Sequence, residues 1–148
     1  MSRTRHYRDL TAWQKAMELA RIVYIRTESF PKSETFGLCM QMRRSAVNVA
    51  TMISGAHGRL NDGEMRKGLG GARAAINELQ TRAELAGCLG FLDGATTEEC
   101  LDLATRVAKL INGLLGVLEP SEGSQETREP ANSPRAERAN PRRDEFQQ

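Results

Sequence analysis

Apolar residues recur at alternating steps of three and four through four stretches of the chain, at roughly 10–30, 34–56, 61–86 and 96–118. A helix turns this spacing into one continuous apolar face, whereas a half-buried strand needs a period of two. No stretch keeps a period of two for long enough to propose a strand. Short connections between the stretches favour antiparallel neighbours. The sequence therefore predicts an all-α fold, an antiparallel up-down-up-down four-helix bundle.

The heptad stripes give the residues that we expect in the core of this bundle. In chain order they are Leu10, Trp13, Met17, Ala20, Tyr24 and Thr27; Leu38, Met42, Ala46, Val49, Ile53 and Ala56; Met65, Leu69, Ala72, Ile76, Leu79, Ala83 and Ala86; and Cys100, Ala104, Val107, Ile111, Leu114 and Leu118. For Trp13 and Tyr24 a subunit contact is the alternative, because aromatic residues are enriched there. Further apolar rows lie outside the stripes: Ala16, Leu19, Val23 and Phe30 widen the apolar face of helix one, as a bundle helix requires, and Met40 and Val47 lie on another face of helix two. A four-helix monomer need not bury them all, so they favour contact with another protein surface.

Capping signals and helix breakers predict the helix ends. The candidate N-caps are Thr11 with Gln14, or Asp9, for helix one; Asn61 or Asp62 for helix three; and Thr96 with Glu99 for helix four. Pro31 and Pro120 are expected to stop helices one and four. Three glycines inside helix three, Gly68, Gly70 and Gly71, each cost about 1 kcal/mol relative to alanine. They predict a weak N-terminal half for that helix.

The apolar content falls sharply after residue 119. The hydrophobic residues beyond it are Ala131, Ala136, Ala139 and Phe146, and four of the chain's prolines also lie there. Such a segment buries too little apolar surface to offset its ordering entropy. The sequence therefore predicts a four-helix domain over 1–119 and a disordered tail over 120–148.

Several classes of protein are disfavoured. No run of about 18 apolar residues predicts a membrane span, and the N-terminus lacks the apolar core of a signal peptide. Cys39, Cys88 and Cys100 are odd in number and lack CxxC spacing. This pattern disfavours a disulfide framework or a zinc site. We expect three buried thiols in a reducing cytoplasm.

Catalytic motifs are missing as well. Neither His6 nor His57 has a glutamate three residues before it, as a di-iron bundle would require. The run 63–68 begins like a phosphate loop but lacks the following Lys-Ser/Thr and a preceding strand. There is no GxSxG elbow and no Cys/His pair at motif spacing. We therefore expect no enzyme activity, no cofactor and no metal.

Charge gives the one candidate site. The formal net charge is only +2, but basic residues gather in and around helices two and three: Arg43, Arg44, Arg59, Arg66, Lys67 and Arg73. A stripe of these side chains could contact phosphates through charge. The alternative is a solvated face with local pairs to Asp62, Glu64 and Glu78. No aromatic residues interleave with the arginines, so stacking on single-stranded bases is not indicated.

Three blocks of the sequence resemble a known family. They are the run Tyr7-Arg-Asp-Leu-Thr-Ala-Trp-Gln-Lys-Ala-Met17 with Val23-Tyr24, Thr27 and Phe30-Pro31; the run 34–47 with Glu34, Gly37, Leu38, Gln41, Arg43, Arg44 and Val47; and Glu78-Leu79 and Leu85-Ala86 before Leu89-Gly90-Phe91-Leu92. Over residues 7–118 the chain resembles the four-helix-bundle proteins named for 23S ribosomal RNA intervening sequences. The resemblance implies an antiparallel bundle that assembles into homopentamers with a central channel. It also implies a distant relation to the accessory protein of diversity-generating retroelements, which binds nucleic acid and reverse transcriptase through a basic surface.

Two segments depart from the family pattern. Where the family usually reads Asn-Ile-Ala-Glu-Gly at the end of helix two, this chain reads Met52-Ile53-Ser54-Gly55-Ala56. Where the family favours an aromatic residue and then a Gly-Ser pair, this chain has Gly68 and then Ala74-Ala75. Any shared polar site built on that asparagine and glutamate is therefore missing from this copy.

The sequence as a whole predicts a non-catalytic, cytoplasmic, oligomeric bundle that binds RNA or another polyanion through its basic residues. The alternative is a structural or protein-interaction scaffold without nucleic-acid binding.

Overall fold

The computed structural model describes residues 6–118, and four α-helices account for most of them. They are α1 (Thr11–Thr27), α2 (Leu38–His57), α3 (Asp62–Cys88) and α4 (Gly94–Gly116). Short 3-10 turns at Tyr7–Asp9 and Lys32–Glu34 precede α1 and α2, and the described residues contain no strand. The predicted all-α class is confirmed. The predicted domain end at 119 and the predicted tail lie outside the described residues.

The helices form a four-cornered bundle in which each helix contacts its two neighbours, and α4 closes the ring against α1. Consecutive helices run antiparallel, and the pairs α1/α3 and α2/α4 lie across the core from each other. The turn 58–61 marks one end of the bundle, here the lower end. The connections 28–37 and 89–93 mark the upper end.

One arginine bridges each of the four interhelical contacts. The bridges are Arg43 Nε to Thr27 Oγ1 at 2.9 Å (α2 to α1), Arg82 Nη1 to Gln41 O at 3.2 Å (α3 to α2), Arg66 Nη1 to Leu115 O at 3.1 Å (α3 to α4), and Arg26 Nη2 to Glu99 Oε2 at 3.1 Å (α1 to α4). Three of these arginines donate to neutral oxygens of the neighbouring helix. Hydrogen bonds from a charged donor are stronger than neutral ones, so these contacts help to fix the position of each helix along its neighbour.

The core contains the stripes predicted for α2, α3 and α4. All six stripe residues of α2 are buried, as are Leu69 through Ala86 of the α3 stripe and Cys100 through Ile111 of the α4 stripe. Met65, Leu114 and Leu118, at the lower end, are half-buried and pack against this core. These three predictions are confirmed, and the apolar residues outside the stripe of α2, Met40 and Val47, are exposed.

The prediction for α1 is wrong in its choice of row. The second row, with Ala16, Leu19 and Val23, is fully buried. Met17 and Tyr24 of the predicted stripe are 46% and 44% exposed. Both rows are apolar, and α1 turns the row with the smaller side chains toward α2 and α4.

The other residues of the predicted α1 stripe divide between core and surface. Thr27 is buried because it follows Val23 by one turn on the buried face, and Leu10, the N-cap residue, is buried as well. Trp13 and Ala20 are half-buried. The Trp13 ring packs edge-on against Tyr7, with 5.2 Å between the ring centroids.

Helix caps differ from the predicted ones at two of three positions. Asn61 caps α3 as predicted, and its side chain accepts the Glu64 N–H at 2.8 Å. The N-cap of α1 is Leu10, without a side-chain bond, while Gln14 donates its amide to Arg8 O. The N-cap of α4 is Asp93, three residues before the predicted Thr96, whose N–H it accepts at 2.7 Å. The backbone N–H of Thr96 and then the Thr96 side chain hydrogen-bond to the Asp93 carboxylate, and these two bonds lower the pKa of Asp93 from its ordinary value of 3.8.

The start of α2 also lies later than predicted. Glu34, the predicted first residue, belongs to the 3-10 turn, and its Oε2 accepts the Leu38 N–H at 3.0 Å. The carboxylate therefore satisfies a free N–H group at the beginning of α2.

Two glycines of α3 lie where α2 comes closest. A Cβ placed on Gly68 would lie 2.8 Å from Ala56 Cβ, and one on Gly71 would lie 3.3 Å from Met52 Sδ. The two segments that depart from the family pattern therefore pack against each other. Their glycines permit a close helix contact instead of merely weakening α3.

Gly90 ends α3 with a positive φ of 78°. The Phe91 N–H donates to Ala86 O and the Gly90 N–H to Gly87 O, which is the Schellman arrangement. A residue with a side chain would be strained at this φ, so Gly90 fixes the connection to α4.

The cysteines do not share one environment. Cys39 and Cys100 are buried, but Cys88 at the end of α3 is exposed, so the prediction of three buried thiols is wrong for Cys88. Burial, with a smaller contribution from Glu99, raises the pKa of the Cys100 thiol to about 11. Among residues 6–118, no helix combines the length and the apolar character needed to cross a membrane.

Candidate functional site

Arg43 and Arg44, adjacent in the sequence, have different environments. Arg43 is half-buried, and its Nη2 donates to Tyr24 O at 3.2 Å in addition to the bond from Nε to Thr27. Its guanidinium carbon lies 4.6 Å from the centre of the Tyr24 ring. Arg44 is exposed on the outer face of α2. Arg43 therefore holds the end of α1, and Arg44 alone faces solvent.

Arg66 and Lys67 diverge in the same way on α3. The half-buried Arg66 donates to Leu115 O in the last turn of α4, where a cation complements the partial negative charge of the helix terminus. Lys67 is exposed. The direction of a side chain turns by about 100° per residue along a helix, so Arg66 and Lys67 point to different sides of α3.

The remaining two predicted residues are exposed but distant from Arg44. Arg59 lies in the lower turn between α2 and α3, and Arg73 lies on the same row of α3 as Arg66. Arg44 precedes the end of α2 by about 13 residues, which is about 20 Å along the helix axis. The structure therefore does not gather the six predicted residues on one surface.

The acidic partners considered from the sequence are also placed differently. The Glu78 carboxylate lies 3.7 Å from Arg82, a residue outside the predicted set. Within residues 6–118, Arg44, Arg59, Lys67 and Arg73 make no hydrogen bond or ion pair through their side chains. These four side chains are the exposed, unneutralised part of the predicted set.

Sequence reasoning missed basic residues on α4. Lys109 is exposed and lies beside Arg73, because Gln80 bonds to Thr105 and Arg66 to Leu115 in the antiparallel α3–α4 pair. Arg106 is also exposed, farther around α4. A search for basic residues at the same height on neighbouring antiparallel helices would have found the pairing of Arg73 with Lys109.

A second surface is apolar and lies along the outer side of the contact between α1 and α2. We call it the α1–α2 seam and define it by Met17, Tyr24, Met40 and Val47, which are 46%, 44%, 37% and 41% exposed. On α1 its residues continue the heptad row through the half-buried Trp13 and Ala20. The Cys39 Sγ–Thr27 O contact and the Arg43–Tyr24 bond align the two helices so that both rows lie side by side.

The part of the chain that the structure describes contains no cluster of side chains typical of a metal site or a catalytic site. No three metal-ligating side chains come together there. A shallow groove between α3 and α4 is lined by Asn77, Gln80, Thr81, Glu84, Leu101 and Thr105. Its lining holds no nucleophile paired with a base, as nucleophilic catalysis would require.

Comparison with known proteins adds a family and a fold. Residues 8–113 match the family model described as 23S rRNA-intervening sequence protein. A solved structure from Bacteroides thetaiotaomicron VPI-5482, a protein of unknown function from the S23 ribosomal protein family, superimposes with a TM-score of 0.65 at 21% identity. The superposition covers 71% of this chain and 98% of that one. No curated protein matches.

Proposed function

Because the chain belongs to the family of 23S rRNA-intervening sequence proteins, we propose that it works as a non-catalytic helical bundle assembled from several copies, whose exposed basic residues contact RNA. The observation that carries the assembly is the α1–α2 seam, where Met17 and Tyr24 of an apolar heptad row of α1 remain exposed. The contact with RNA has separate support and a separate test.

The seam suits a second copy of the chain because its spacing is that of a coiled-coil contact. Side chains that alternate at steps of three and four can pack into the matching row of another helix. Large exposed side chains in such a row indicate an interaction site, whereas scattered single ones do not. The family resemblance, which implies homopentamers, points to the same kind of partner.

The Arg43–Tyr24 contact adds rigidity to the seam. Arg43 is already bonded to Thr27 Oγ1 and Tyr24 O, and its guanidinium stacks on the Tyr24 ring. Tyr24 therefore loses little side-chain freedom when a partner covers it, which lowers the entropic cost of association.

Light scattering after size-exclusion chromatography tests the assembly. The full chain should elute as a particle several times its 16.4 kDa mass, and Met17→Glu should shift it toward the monomer, because a carboxylate cannot be buried unpaired in the contact. Ile25→Glu is the matched control, since Ile25 is 50% exposed on α1 but lies outside the seam. A wild-type chain that stays monomeric at micromolar concentration, or equal effects of the two variants, would contradict the proposal.

RNA binding is supported by four exposed cations, Arg44, Arg59, Lys67 and Arg73, none of which is neutralised within the described residues. A single copy offers few phosphate contacts over its surface. Assembly repeats the same cations on every copy, and several weak contacts on one particle bind more tightly together than each does alone.

A mobility-shift series with RNA at increasing salt tests this part. Each lost phosphate contact should reduce the slope of log K against log salt by about 0.7–0.9, so Arg44→Glu and Lys67→Glu should each weaken binding and flatten the slope. Lys32→Glu is the control because Lys32 is exposed in the connection before α2, away from these residues. If neither salt nor the charge reversals change the affinity, the assembly acts as a scaffold without a nucleic-acid role.

A further inference from the structure

Two surface rows, one on α3 and one on α4, face solvent side by side along the contact between these helices. The α3 row contains Arg66, Gly70, Arg73, Asn77, Gln80 and Glu84, and the α4 row contains Glu98, Asp102, Thr105, Lys109 and Asn112. Both rows step by three and four, so each is a straight line on its helix. We call the two rows together the α3–α4 face. The bond from Gln80 Nε2 to Thr105 Oγ1, 3.2 Å long, joins them at mid-height.

The charges on this face are separated by height. Glu84, Glu98 and Asp102 are exposed in the upper half, and Arg73 and Lys109 are exposed in the lower half. Within residues 6–118 these five side chains make no ion pair.

The charges nearby do not blur this separation. The half-buried Arg66 adds to the lower, basic half, and the middle of the face holds amides, hydroxyls and the half-buried Leu101, none of them charged. Glu99, next to Glu98 in the sequence, is turned toward α1, where it pairs with Arg26.

The two halves are symmetric about the mid-height bond. Arg73 and Glu84 are about 16 Å apart along α3, and Asp102 and Lys109 are about 10 Å apart along α4, from the rise of 1.5 Å per residue. The midpoints of both pairs fall within two residues of Gln80 and Thr105. A two-fold axis that lies in the plane of the face at this height, perpendicular to the helices, would therefore place the acidic half of one copy against the basic half of the other.

We propose that the α3–α4 face binds a second copy of this chain in antiparallel orientation about that two-fold axis, with Arg73 opposite the partner's Glu84 and Lys109 opposite the partner's Asp102. A contact of this kind is isologous, since the same patch serves both copies. Complementary charge then sets the orientation, because the parallel arrangement would place like charges together.

A long polyanion fits this face less well than a second copy, which would take up Arg73 and leave Arg44, Arg59 and Lys67 for RNA. A phosphate backbone that followed the rows past Arg73 and Lys109 would meet the three carboxylates of the upper half. The neutral middle suits self-pairing, because amide and hydroxyl groups both donate and accept and can bond to their own counterparts across a two-fold axis. The face lies on the side of the bundle opposite the α1–α2 seam, so the inference does not depend on the assembly proposed above.

The test uses the full chain with Met17→Glu, which removes association through the seam. Sedimentation equilibrium should show a dimer at about 0.01 M salt that dissociates toward 1 M, as the Debye length falls from about 30 Å to about 3 Å. An acidic-face variant (Arg73→Glu with Lys109→Glu) and a basic-face variant (Glu84→Lys with Asp102→Lys) should each associate at least about tenfold more weakly. Arg44→Glu, a charge change on α2, should leave the dimer unchanged.

Mixing the two face variants gives the sharpest outcome. The predominantly acidic face of one variant should bind the predominantly basic face of the other, so the mixture should restore a dimer of one copy of each, which two misfolded chains could not do. If the mixture stays monomeric, or if the parent chain shows no salt-dependent dimer, the proposal is wrong. The proposal is also wrong if the parent chain never dimerises and the acidic-face variant loses RNA binding. The basic half of the face would then bind a polyanion.

Discussion

Replacing Gly68 by alanine tests a close approach between α2 and α3. The new Cβ would lie 2.8 Å from Ala56 Cβ and 3.1 Å from Ala56 Cα. Favourable contacts between carbon atoms lie at about 3.5–4.0 Å, so α2 and α3 would have to move apart. In the family pattern, glycine stands at the position of Ala56 and an aromatic residue near that of Gly68, so this chain has exchanged the larger and the smaller partner.

The size of the effect follows from two opposing contributions. Gly→Ala inside a helix stabilises by about 1 kcal/mol, and overpacking a buried contact destabilises by about 1–3 kcal/mol. We therefore expect Gly68→Ala to lower the free energy of unfolding by about 1 kcal/mol. For a domain of this size that lowers Tm by about 3–5 °C.

Gly70→Ala is the matched control, because no atom lies within 4 Å of a Cβ at that position. It should gain the full helical stabilisation of about 1 kcal/mol. The two variants should thus differ by about 1–3 kcal/mol, which is the overpacking contribution alone. Thermal and urea unfolding, followed by circular dichroism, measure both values.

The double variant Ala56→Gly with Gly68→Ala completes a thermodynamic cycle. Exchanging the two residues removes the 2.8 Å contact between the Cβ atoms and leaves the 3.1 Å contact with the Cα of residue 56, so the coupling energy should recover part of the overpacking, about 1 kcal/mol. If Gly68→Ala stabilises as much as Gly70→Ala, or if the coupling energy is zero, the helices are not in close contact at this point and the reasoning fails.

Three further predictions concern side chains whose environments the structure fixes. Arg43→Gln should lower the free energy of unfolding by about 1–2 kcal/mol, since it removes charge-assisted hydrogen bonds, whereas the adjacent Arg44→Gln should stay within about 0.5 kcal/mol in the same urea titration. With a thiol reagent, the exposed Cys88 should react first and Cys100, whose pKa is raised to about 11, should react only on unfolding; equal rates would contradict the burial. The pKa of Asp93 is lowered on folding, so its stabilisation is present above its unfolded pKa and is lost as pH falls through the folded value; the stability advantage over Asp93→Asn should therefore shrink below about pH 3.8, and a pH-independent difference would refute the capping role.

The fold was predictable because, in three of the four helices, the apolar pattern indicates which side of the helix is buried. In α2, α3 and α4 the heptad stripe is the longest apolar row, and burying it decides the orientation of the helix. The helix ends were less predictable, because several polar residues compete near each terminus and the chain geometry selects among them. At α4 the capping residue is Asp93, because α4 begins directly after the short connection that follows Gly90 and the Asp93 side chain accepts the Thr96 N–H.

For α1, periodicity could not choose the buried row. The row through Ala16, Leu19 and Val23 and the row through Met17 and Tyr24 have the same spacing, and the second holds the larger side chains. Contacts with other helices decide which of the two rows is buried. One of these contacts is the hydrogen bond from Arg43 to the Tyr24 carbonyl. The same ambiguity explains why a heptad row remains outside the core and is available to a second copy.

The candidate site was hard to predict because closeness in the sequence is a poor guide to a shared surface on helices. Arg43 and Arg66 bond to oxygens of neighbouring helices, and their sequence neighbours Arg44 and Lys67 point elsewhere. A cluster of basic letters therefore contains residues that hold the bundle together as well as residues that face solvent. Basic residues share a surface when they lie one heptad apart on a row, or at the same height on antiparallel helices. The pairing of Arg73 with Lys109, which no local count of charge reveals, follows from that rule.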